Sequence, residues 1–285
     1  MSWMQLPKEY QKGTFTILPI EYEHNPTYGK GASKGSKEII KASEHLEYYD
    51  EQFNTEPFLK GIKQLPTLNL NNVKPEEMIE QIATTIEQNQ KEITKQNNFI
   101  ITLGGDHAIT LGVIKGLEQI HKTFSIIQLD AHADFRDSWS SPYNHACVAK
   151  QLSKNHDIAL IGVRSMDSDE AKQLNQHKNV HLIKAYNLTK ENIIKTLKKL
   201  NKKVYISIDV DVFDPSIITN TGTPEPGGLN WNQLIEILKD IFKHKTVIAA
   251  DIVEFAPKTN YTAEAYTLAK LAYKLMALKA IKNSL

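Results

Sequence analysis

The chain has 285 residues, of which 41% are hydrophobic and 24% charged, a composition typical of globular proteins with one large domain or two smaller ones. Its net charge of +1 gives no support to nucleic-acid or membrane binding, and we expect neither partner. The single cysteine, Cys147, excludes an intramolecular disulfide and a cysteine-based metal cage. The N-terminal sequence MSWMQLPKEYQKG has no long apolar run, and no 18-residue apolar segment follows, which predicts a cytoplasmic protein.

Short runs rich in β-branched residues recur along the chain and predict strands. Several of them are almost continuously apolar, which is typical of strands that are covered on both faces. In chain order they are 14–20, 99–103, 124–129, 157–162, 180–183, 204–209 and 246–253.

Segments with helical periodicity lie between these strands. The first begins at Pro75, a favoured first helical residue, and carries Met78, Ile82, Ile86 and Ile93 on one face. The predicted helices are 75–97, 108–120, 167–177, 190–200, 231–243 and 261–282, the last beginning between Asn260 and Thr262.

The alternation of strands and helices predicts an α/β protein with one parallel sheet and helices on both sides. We find no linker, repeat or low-complexity tract, so a single domain over residues 1–285 is the simplest interpretation. The polar segment 21–72 is the least regular part of the chain, and we expect it to form loops over the sheet edge.

Histidine and aspartate residues follow three of the predicted strands, where ligands bind in such folds. Residues at alternate positions of a strand share a face, so each cluster is expected to point one way. The clusters are GGDHA with His107, DAHAD with Asp130, His132 and Asp134, and SIDVDVFDP with Asp209 and Asp211.

Each cluster taken alone has an ordinary structural explanation, since a histidine after a strand is usually structural and an aspartate there usually caps a helix. Together, however, the carboxylates would repel one another unless cations lay between them. Oxygen and nitrogen ligands without thiolate suit two divalent cations. Bridging carboxylates would hold these ions roughly 3.5–4 Å apart around an acidified shared water, which is a hydrolytic nucleophile. We expect the ions to be Mn²⁺; the ligand types also allow Zn²⁺, Fe²⁺ or Co²⁺.

Four motifs in this order resemble the ureohydrolases, the arginase–agmatinase family: GGDH, DAHAD, SIDVDVFDP followed by TGTPEPGG, and DIVEFAP. The resemblance runs from about residue 14 to the last predicted helix. It implies a three-layer α-β-α fold and a centre of two Mn²⁺ that hydrolyses guanidino compounds to an amine and urea through a metal-bridging hydroxide. It also implies a homo-oligomer, a trimer or a hexamer.

Residue by residue, the resemblance implies a complete ligand set for two ions. His107 and Asp134 would bind the first ion, and His132 and Asp211 the second. Asp130 and Asp209 would bridge the two.

The resemblance also implies residues that act on the substrate. A guanidinium is planar and permanently cationic, so a carboxylate is its natural partner. Glu254, in DIVEFAP, matches the guanidinium-binding glutamate; without the motif it would be taken for a solvent-facing or helix-initiating acid. Asp134 could also accept a hydrogen bond from the bridging hydroxide and orient its lone pair, which gives it a catalytic role.

Three further residues are assigned by position. His145 is a catalytic and substrate-binding candidate, because a histidine titrating near neutrality suits proton transfer to the leaving amine; it could instead only cap or pack the helix that it begins. Thr223 is a hydrogen-bonding candidate in the pocket, although its loop could simply form a turn. We interpret Arg164 as structural, at a subunit contact.

The substrate depends on the segment after DAHAD. Its sequence, FRDSWSSPYNHACV, departs from the arginase pattern and resembles microbial agmatinases, as does YGKGASKGSKEIIKASEHLEYYDE near the N-terminus. Agmatine, hydrolysed to putrescine and urea, is therefore the expected small-molecule substrate, with arginine, guanidinobutyrate and aminopropylated agmatine open. Ser138, Ser140 and Ser141 are interpreted as loop residues rather than substrate ligands.

Two rival functions stay open at this point. A related metal-dependent amide hydrolase or deacetylase would use a single zinc ion and need fewer carboxylates. A metal-binding regulatory protein without turnover would be favoured by the loss of a ligand or of Glu254, and neither is missing from the sequence.

Overall fold

The computed structural model describes residues 1–89, 98–258 and 263–281. Within them, nine strands form one sheet in the order β2-β1-β4-β9-β8-β5-β6-β7, with β3 also paired to β1, and every pairing is parallel. The strands are β1 Phe15–Glu21, β2 Ile62–Gln64, β3 Leu68–Asn69, β4 Phe99–Leu103, β5 Ser125–Leu129, β6 Ile158–Val163, β7 Val180–Lys184, β8 Lys203–Asp209 and β9 Thr246–Val253.

Helices cover both faces of the sheet because the strand side chains alternate between two apolar cores. Ile126 packs in one core with Met78 and Val113, whereas Ile127 packs in the other with Leu234 and Leu268. The helices are α1 Gly35–Ser43, α2 Pro75–Gln88, α3 Ile109–Glu118, α4 Val148–Leu152, α5 Ser168–Gln176, α6 Lys190–Leu197, α7 Trp231–His244 and α8 Ala263–Ala280.

This architecture confirms the predicted fold class, a single α/β domain with helices on both sides of a parallel sheet. The predicted strand bounds agree with the observed ones to within about one residue, because buried parallel strands carry a strong apolar signal. Part of the predicted helix 75–97, including Ile93, and the start and last residue of the predicted helix 261–282 lie outside the described residues. No helix in the described ranges has both the length and the apolar character needed to cross a bilayer.

Segment 21–72, where loops over the sheet edge were expected, also contains regular elements. This segment contains α1, and its strands β2 and β3 extend the sheet beside β1. Ile39 and Ile40 of α1 are buried in the core that also contains Leu268 of α8. The helix was missed because its apolar residues are few and its stability comes from tertiary packing rather than from propensity.

A buried ion pair fixes α8 to the loop that follows α1. The Nζ atom of Lys274 lies 2.9 Å from Oδ1 of Asp50, and both side chains are almost fully buried. The same Oδ1 atom accepts a hydrogen bond from the backbone N–H of Phe53. Removing one partner of such a pair leaves the other charge buried and uncompensated.

We expect Asp50→Ala to lower the free energy of unfolding by about 3 kcal/mol, because Lys274 would lose its buried counter-ion. The matched control is Glu236→Ala, which breaks the exposed Lys239–Glu236 pair of 2.7 Å and should cost less than about 1 kcal/mol. Urea unfolding followed by circular dichroism measures both changes. Equal losses in the two variants would contradict a structural role for the buried pair.

Candidate metal centre

The sheet order places four strand ends beside one another. Strands β4, β9, β8 and β5 are consecutive neighbours and run in parallel, so their carboxyl ends meet at one edge. Asp209 ends β8, Asp130 directly follows β5, Glu254 directly follows β9, and His107 lies four residues beyond the end of β4. The sheet therefore gathers residues from four distant parts of the chain.

The first cluster surrounds one nitrogen of His107. Its Nδ1 atom lies 3.0 Å from Asp134 Oδ2, 3.2 Å from Asp209 Oδ2 and 3.3 Å from Asp130 Oδ2. All four side chains are buried, and within the described residues this nitrogen completes no hydrogen bond. One nitrogen lone pair and three carboxylate oxygens thus converge on the same small space.

The other nitrogen of His107 is held by a buried hydrogen-bond chain. Its Nε2 atom lies 2.9 Å from Ser207 Oγ, and that hydroxyl donates to Asp251 Oδ1 at 2.7 Å. The second oxygen of Asp251 accepts from Thr110 Oγ1 and from the Tyr205 hydroxyl. Because the Ser207 proton is committed to Asp251, its oxygen accepts from Nε2–H, which leaves Nδ1 as the cation-binding nitrogen.

The second cluster surrounds His132, which is partly exposed. Its Nδ1 atom lies 2.8 Å from Asp211 Oδ2 and 3.8 Å from Asp130 Oδ1. In the described part of the chain, two sets of side chains have ligand atoms close enough to hold an ion: His107, Asp130 and Asp134, and Asp130, His132 and Asp211. Asp130 belongs to both sets, so its carboxylate can bridge two ions.

Turns, rather than strand alternation, aim the carboxylates, so that part of the sequence interpretation was wrong. Strand β8 ends at Asp209, whose Oδ1 atom accepts the backbone N–H of Asp211 at 2.9 Å, and residues 210–212 form a 3₁₀ turn. Asp130 likewise accepts the backbone N–H of His132 at 2.6 Å. Asp134 has a positive φ of 48°, an uncommon conformation that a functional site can retain.

The electrostatics of the first cluster require positive charge at its centre. Burial, together with the charges of Asp211 and Asp130, raises the pKa of Asp209 well above its usual range. Burial and the charge of Asp130 also raise the pKa of Asp134 to about 7. These groups therefore need either protons or a cation between them. A donor set of imidazole nitrogens and carboxylate oxygens without thiolate suits divalent cations, so the residues fit a two-ion centre.

Glu254 lies beside this centre in an unusual backbone conformation. Its φ is +66°, and its Oε1 atom accepts the backbone N–H of His107 at 2.6 Å. Burial and the charge of Asp106 raise the pKa of Glu254 well above its usual range. A cationic ligand would supply the compensating charge, which makes this carboxylate a suitable partner for a guanidinium.

The remaining candidates border a cavity of about 400 Å³ that is also lined by Glu254 and by five of the six predicted ligands, all but the fully buried Asp130. Thr223 and His145 both line it, whereas Ser138, Ser140 and Ser141 are absent from its described lining. Burial and the charges of His107 and His132 lower the pKa of His145 to about 4, below the near-neutral value expected from the sequence. At neutral pH, its ring is therefore neutral.

Sequence reasoning missed several residues of this cavity. Glu23 and Thr27 reach it from the N-terminal part of the chain, and Thr27 Oγ1 lies 2.9 Å from Nε2 of His145. Trp139 and Asp167 line it from the loops after β5 and β6. None of these residues follows a strand in one of the three clusters singled out from the sequence, and the fold brings them to the site. Ser207 was missed because it lies inside an otherwise apolar strand.

Arg164 has an internal role in this chain. Its guanidinium donates to the backbone carbonyls of Asp211 at 2.7 Å, Glu225 at 2.8 Å and Pro226 at 3.0 Å. It therefore joins the turn that carries a predicted metal ligand to the TGTPEPGG loop. These contacts explain a structural arginine without a subunit contact.

Comparison with known proteins agrees with this geometry. The model of the family described as "Arginase family" matches residues 14–278. The N(1)-aminopropylagmatine ureohydrolase of Synechocystis sp. is 33% identical over 94% of this chain and 89% of its own length. The agmatinase of Pyrococcus horikoshii is 31% identical over 97% of this chain and 96% of its own length.

A solved structure shows the same fold. The crystal structure of the agmatine ureohydrolase of Thermoplasma volcanium superposes with a TM-score of 0.84 at 26% identity, and the match covers 96% of this chain and 92% of that one. The four motifs lie in their family order on the strand ends that form the site. The motifs, the fold and the match over residues 14–278 together show that this chain belongs to the arginase family of ureohydrolases.

Proposed function

We propose that the protein hydrolyses agmatine to putrescine and urea at the paired ligand sets beside Glu254. The observation that carries this proposal is the sharing of Asp130 between two ligand sets at the base of a cavity that is also lined by Glu254, a carboxylate suited to a guanidinium. A deacetylase with one zinc ion would have no use for the second set.

Two Mn²⁺ ions are the proposed cofactors, with His107 and Asp134 on one, His132 and Asp211 on the other, and Asp130 and Asp209 between them. Bound cations of this kind lower the pKa of water and thereby supply a hydrolytic nucleophile near neutral pH. The hydrogen-bond chain from His107 through Ser207 to Asp251 supports the assignment, since an outer-shell partner fixes the orientation and tautomer of a ligand imidazole.

Other side chains would orient the substrate. Glu254 would bind the guanidinium through paired N–H···O hydrogen bonds, which hold its plane in a fixed direction. Asp134 would accept a hydrogen bond from the attacking group and direct its lone pair towards the guanidinium carbon. His145 would pass the proton released by the attacking water to the leaving amine; with a pKa of about 4, its protonated ring is a strong proton donor. Thr223 would hydrogen-bond the substrate in the same cavity.

The charges of the cavity favour an amine over an amino acid or carboxylate substrate. Arg136 provides the only lysine or arginine side chain among the described lining residues, and its Nη1 atom lies 2.9 Å from Asp167 Oδ2. That guanidinium is therefore neutralised and poorly placed to bind a substrate carboxylate. The carboxylate of Glu225 also lines the cavity and would attract the cationic end of such a substrate.

Aminopropylated agmatine is the second candidate substrate. Proteins named N(1)-aminopropylagmatine ureohydrolase, from Synechocystis sp. and Thermus thermophilus, are 33% and 30% identical to this chain over most of its length. This substrate carries one more cationic nitrogen than agmatine, which agrees with an acidic cavity. A cytoplasmic location and a trimeric or hexameric homo-oligomer stay predictions from the sequence.

Urea release from the Mn²⁺-loaded protein tests the proposal. We expect turnover of agmatine or its aminopropyl derivative, and a kcat/KM at least about tenfold lower for arginine and for guanidinobutyrate, because their carboxylates would meet an acidic cavity. The ratio of the two amine substrates decides between the candidates. A protein carrying two ions per chain and inert towards all four compounds would contradict the proposal and favour a regulatory role.

Asp211→Ala should remove one of two ions per chain and most of the activity, because His132 and the two bridging residues, Asp130 and Asp209, would leave the second ion undercoordinated. Mass spectrometry of metal content and the circular dichroism spectrum check this expectation together. We expect an unchanged spectrum. Two tightly bound ions with full turnover would refute the ligand assignment.

Glu254→Gln should retain two ions but lower kcat/KM for agmatine by at least about 30-fold, because truncating one partner of a buried charge pair costs about 2 kcal/mol or more. The matched control is Glu236→Gln, an exposed glutamate on α7 that is remote from the cavity lining. Steady-state kinetics at matched metal content distinguishes the two. Unchanged efficiency of the Glu254 variant would remove this residue from guanidinium binding.

A further inference from the structure

Glu225 presents a carboxylate to the cavity that has no assigned partner. Its Oε1 atom lies 3.8 Å from Nε2 of His132, too far for a hydrogen bond, and within the described residues no donor hydrogen-bonds to its side chain. The side chain is 35% exposed, compared with 3% for Asp211. Glu225 therefore lies between the buried centre and the solvent.

The neighbouring acids of the cavity are already engaged. Glu23 Oε1 accepts the backbone N–H groups of Gly31 and Ala32 at 2.7 and 3.0 Å. Asp167 pairs with Arg136 and also caps helix α5. Their negative charge is at least partly satisfied by the protein, whereas the charge of Glu225 is left for a ligand.

The backbone around Glu225 is held in a fixed position. Its carbonyl oxygen accepts from Arg164 at 2.8 Å, and the same guanidinium donates to the carbonyls of Pro226 and Asp211. Pro224 and Pro226 on either side further restrict the main chain. A carboxylate on such a support is positioned before the substrate arrives, which reduces the entropy cost of binding.

The hydroxyl of Thr221, in the same loop, also lacks a hydrogen-bond partner within the described residues. This hydroxyl is buried, with the residue 7% exposed. Thr221 also lines the cavity. A buried hydroxyl without a partner is costly, and a ligand N–H or an ordered water would relieve that cost.

We propose that Glu225 is a specificity-determining residue that binds the cationic nitrogen four carbons from the guanidino group of the substrate, with Thr221 as an additional hydrogen-bonding group. This inference rests on the proposed function. Agmatine and its aminopropyl derivative both carry a protonated nitrogen four carbons from the guanidino group, so one carboxylate serves either substrate. The competing role for Glu225 is to orient His132, as carboxylates do for ligand imidazoles.

The experiment compares Glu225→Gln with wild type on two substrates, agmatine and butylguanidine, which has the same chain without the amine. We expect kcat/KM for agmatine to fall at least about tenfold, since the variant keeps an acceptor oxygen but loses the negative charge that pairs with the substrate amine. The value for butylguanidine should change less than about twofold, because no charge pairs with Glu225 in that complex. Metal content is measured on every sample.

Two variants sharpen the comparison. Glu23→Gln removes the same charge from the same cavity but keeps an oxygen that can accept from Gly31 and Ala32, so its agmatine-to-butylguanidine ratio should stay near the wild-type ratio. Glu225→Lys should reverse the preference, improving guanidinobutyrate relative to agmatine.

Equal losses on both substrates in Glu225→Gln would overturn the inference and assign Glu225 to the orientation of His132, while wild-type urea release would leave the proposed function intact. A wild-type protein without urea release from any guanidino compound would overturn the proposed function and the inference with it.

Discussion

Buried carboxylates crowd the ends of neighbouring strands, and their mutual repulsion constrains the whole site. Asp130, Asp134 and Asp209 approach one imidazole nitrogen within 3.3 Å, in a region that excludes most solvent. Such a group of acids is unfavourable unless positive charge is placed among them. The proposed metal ions and a guanidinium ligand would both satisfy this requirement, because each would bring cationic charge to the same acidic site.

The parallel sheet makes that arrangement possible. Four adjacent strands end at one edge, so side chains far apart in sequence meet on a rigid support whose cores are filled by apolar residues from both helical layers. Beneath the site, Asp251 collects hydrogen bonds from Ser207, Tyr205 and Thr110. These contacts satisfy the buried carboxylate of Asp251 within the protein, whereas Asp130, Asp134 and Asp209 are left for ligands.

Much of this could be predicted from the sequence because two signals are local. Continuous apolar runs identify the central strands, and closely spaced acids and histidines identify their functional ends. The direction in which these side chains point is not determined by the local sequence pattern. Alternation along a strand was expected to align Asp209 with Asp211, whereas a 3₁₀ turn closed by the Asp209 carboxylate does so. A periodic pattern cannot reveal where a strand gives way to a turn.

Residues that act through tertiary contacts were also beyond sequence reasoning. Helix α1 owes its stability to packing against α8, and Thr27 reaches His145 across 118 positions of the chain. Glu225 lies within TGTPEPGG, one of the motifs that resemble the family. The glycines and prolines of this motif predict a turn and give no indication of a role for the acid. The role proposed for it depends on its exposure and on a carboxylate that accepts no hydrogen bond from the described residues, and both are properties of the three-dimensional structure.

The hydrogen bonds of Arg164 have a consequence for how this enzyme could diversify. One guanidinium donates hydrogen bonds to the backbone carbonyls of both Asp211 and Glu225. Insertions or deletions in the TGTPEPGG loop would therefore also disturb the 3₁₀ turn that contains Asp211. A new substrate preference would therefore be acquired more readily by exchanging side chains on a loop of constant length. Differences in substrate preference would then arise at single side-chain positions of this loop, while its backbone stays unchanged.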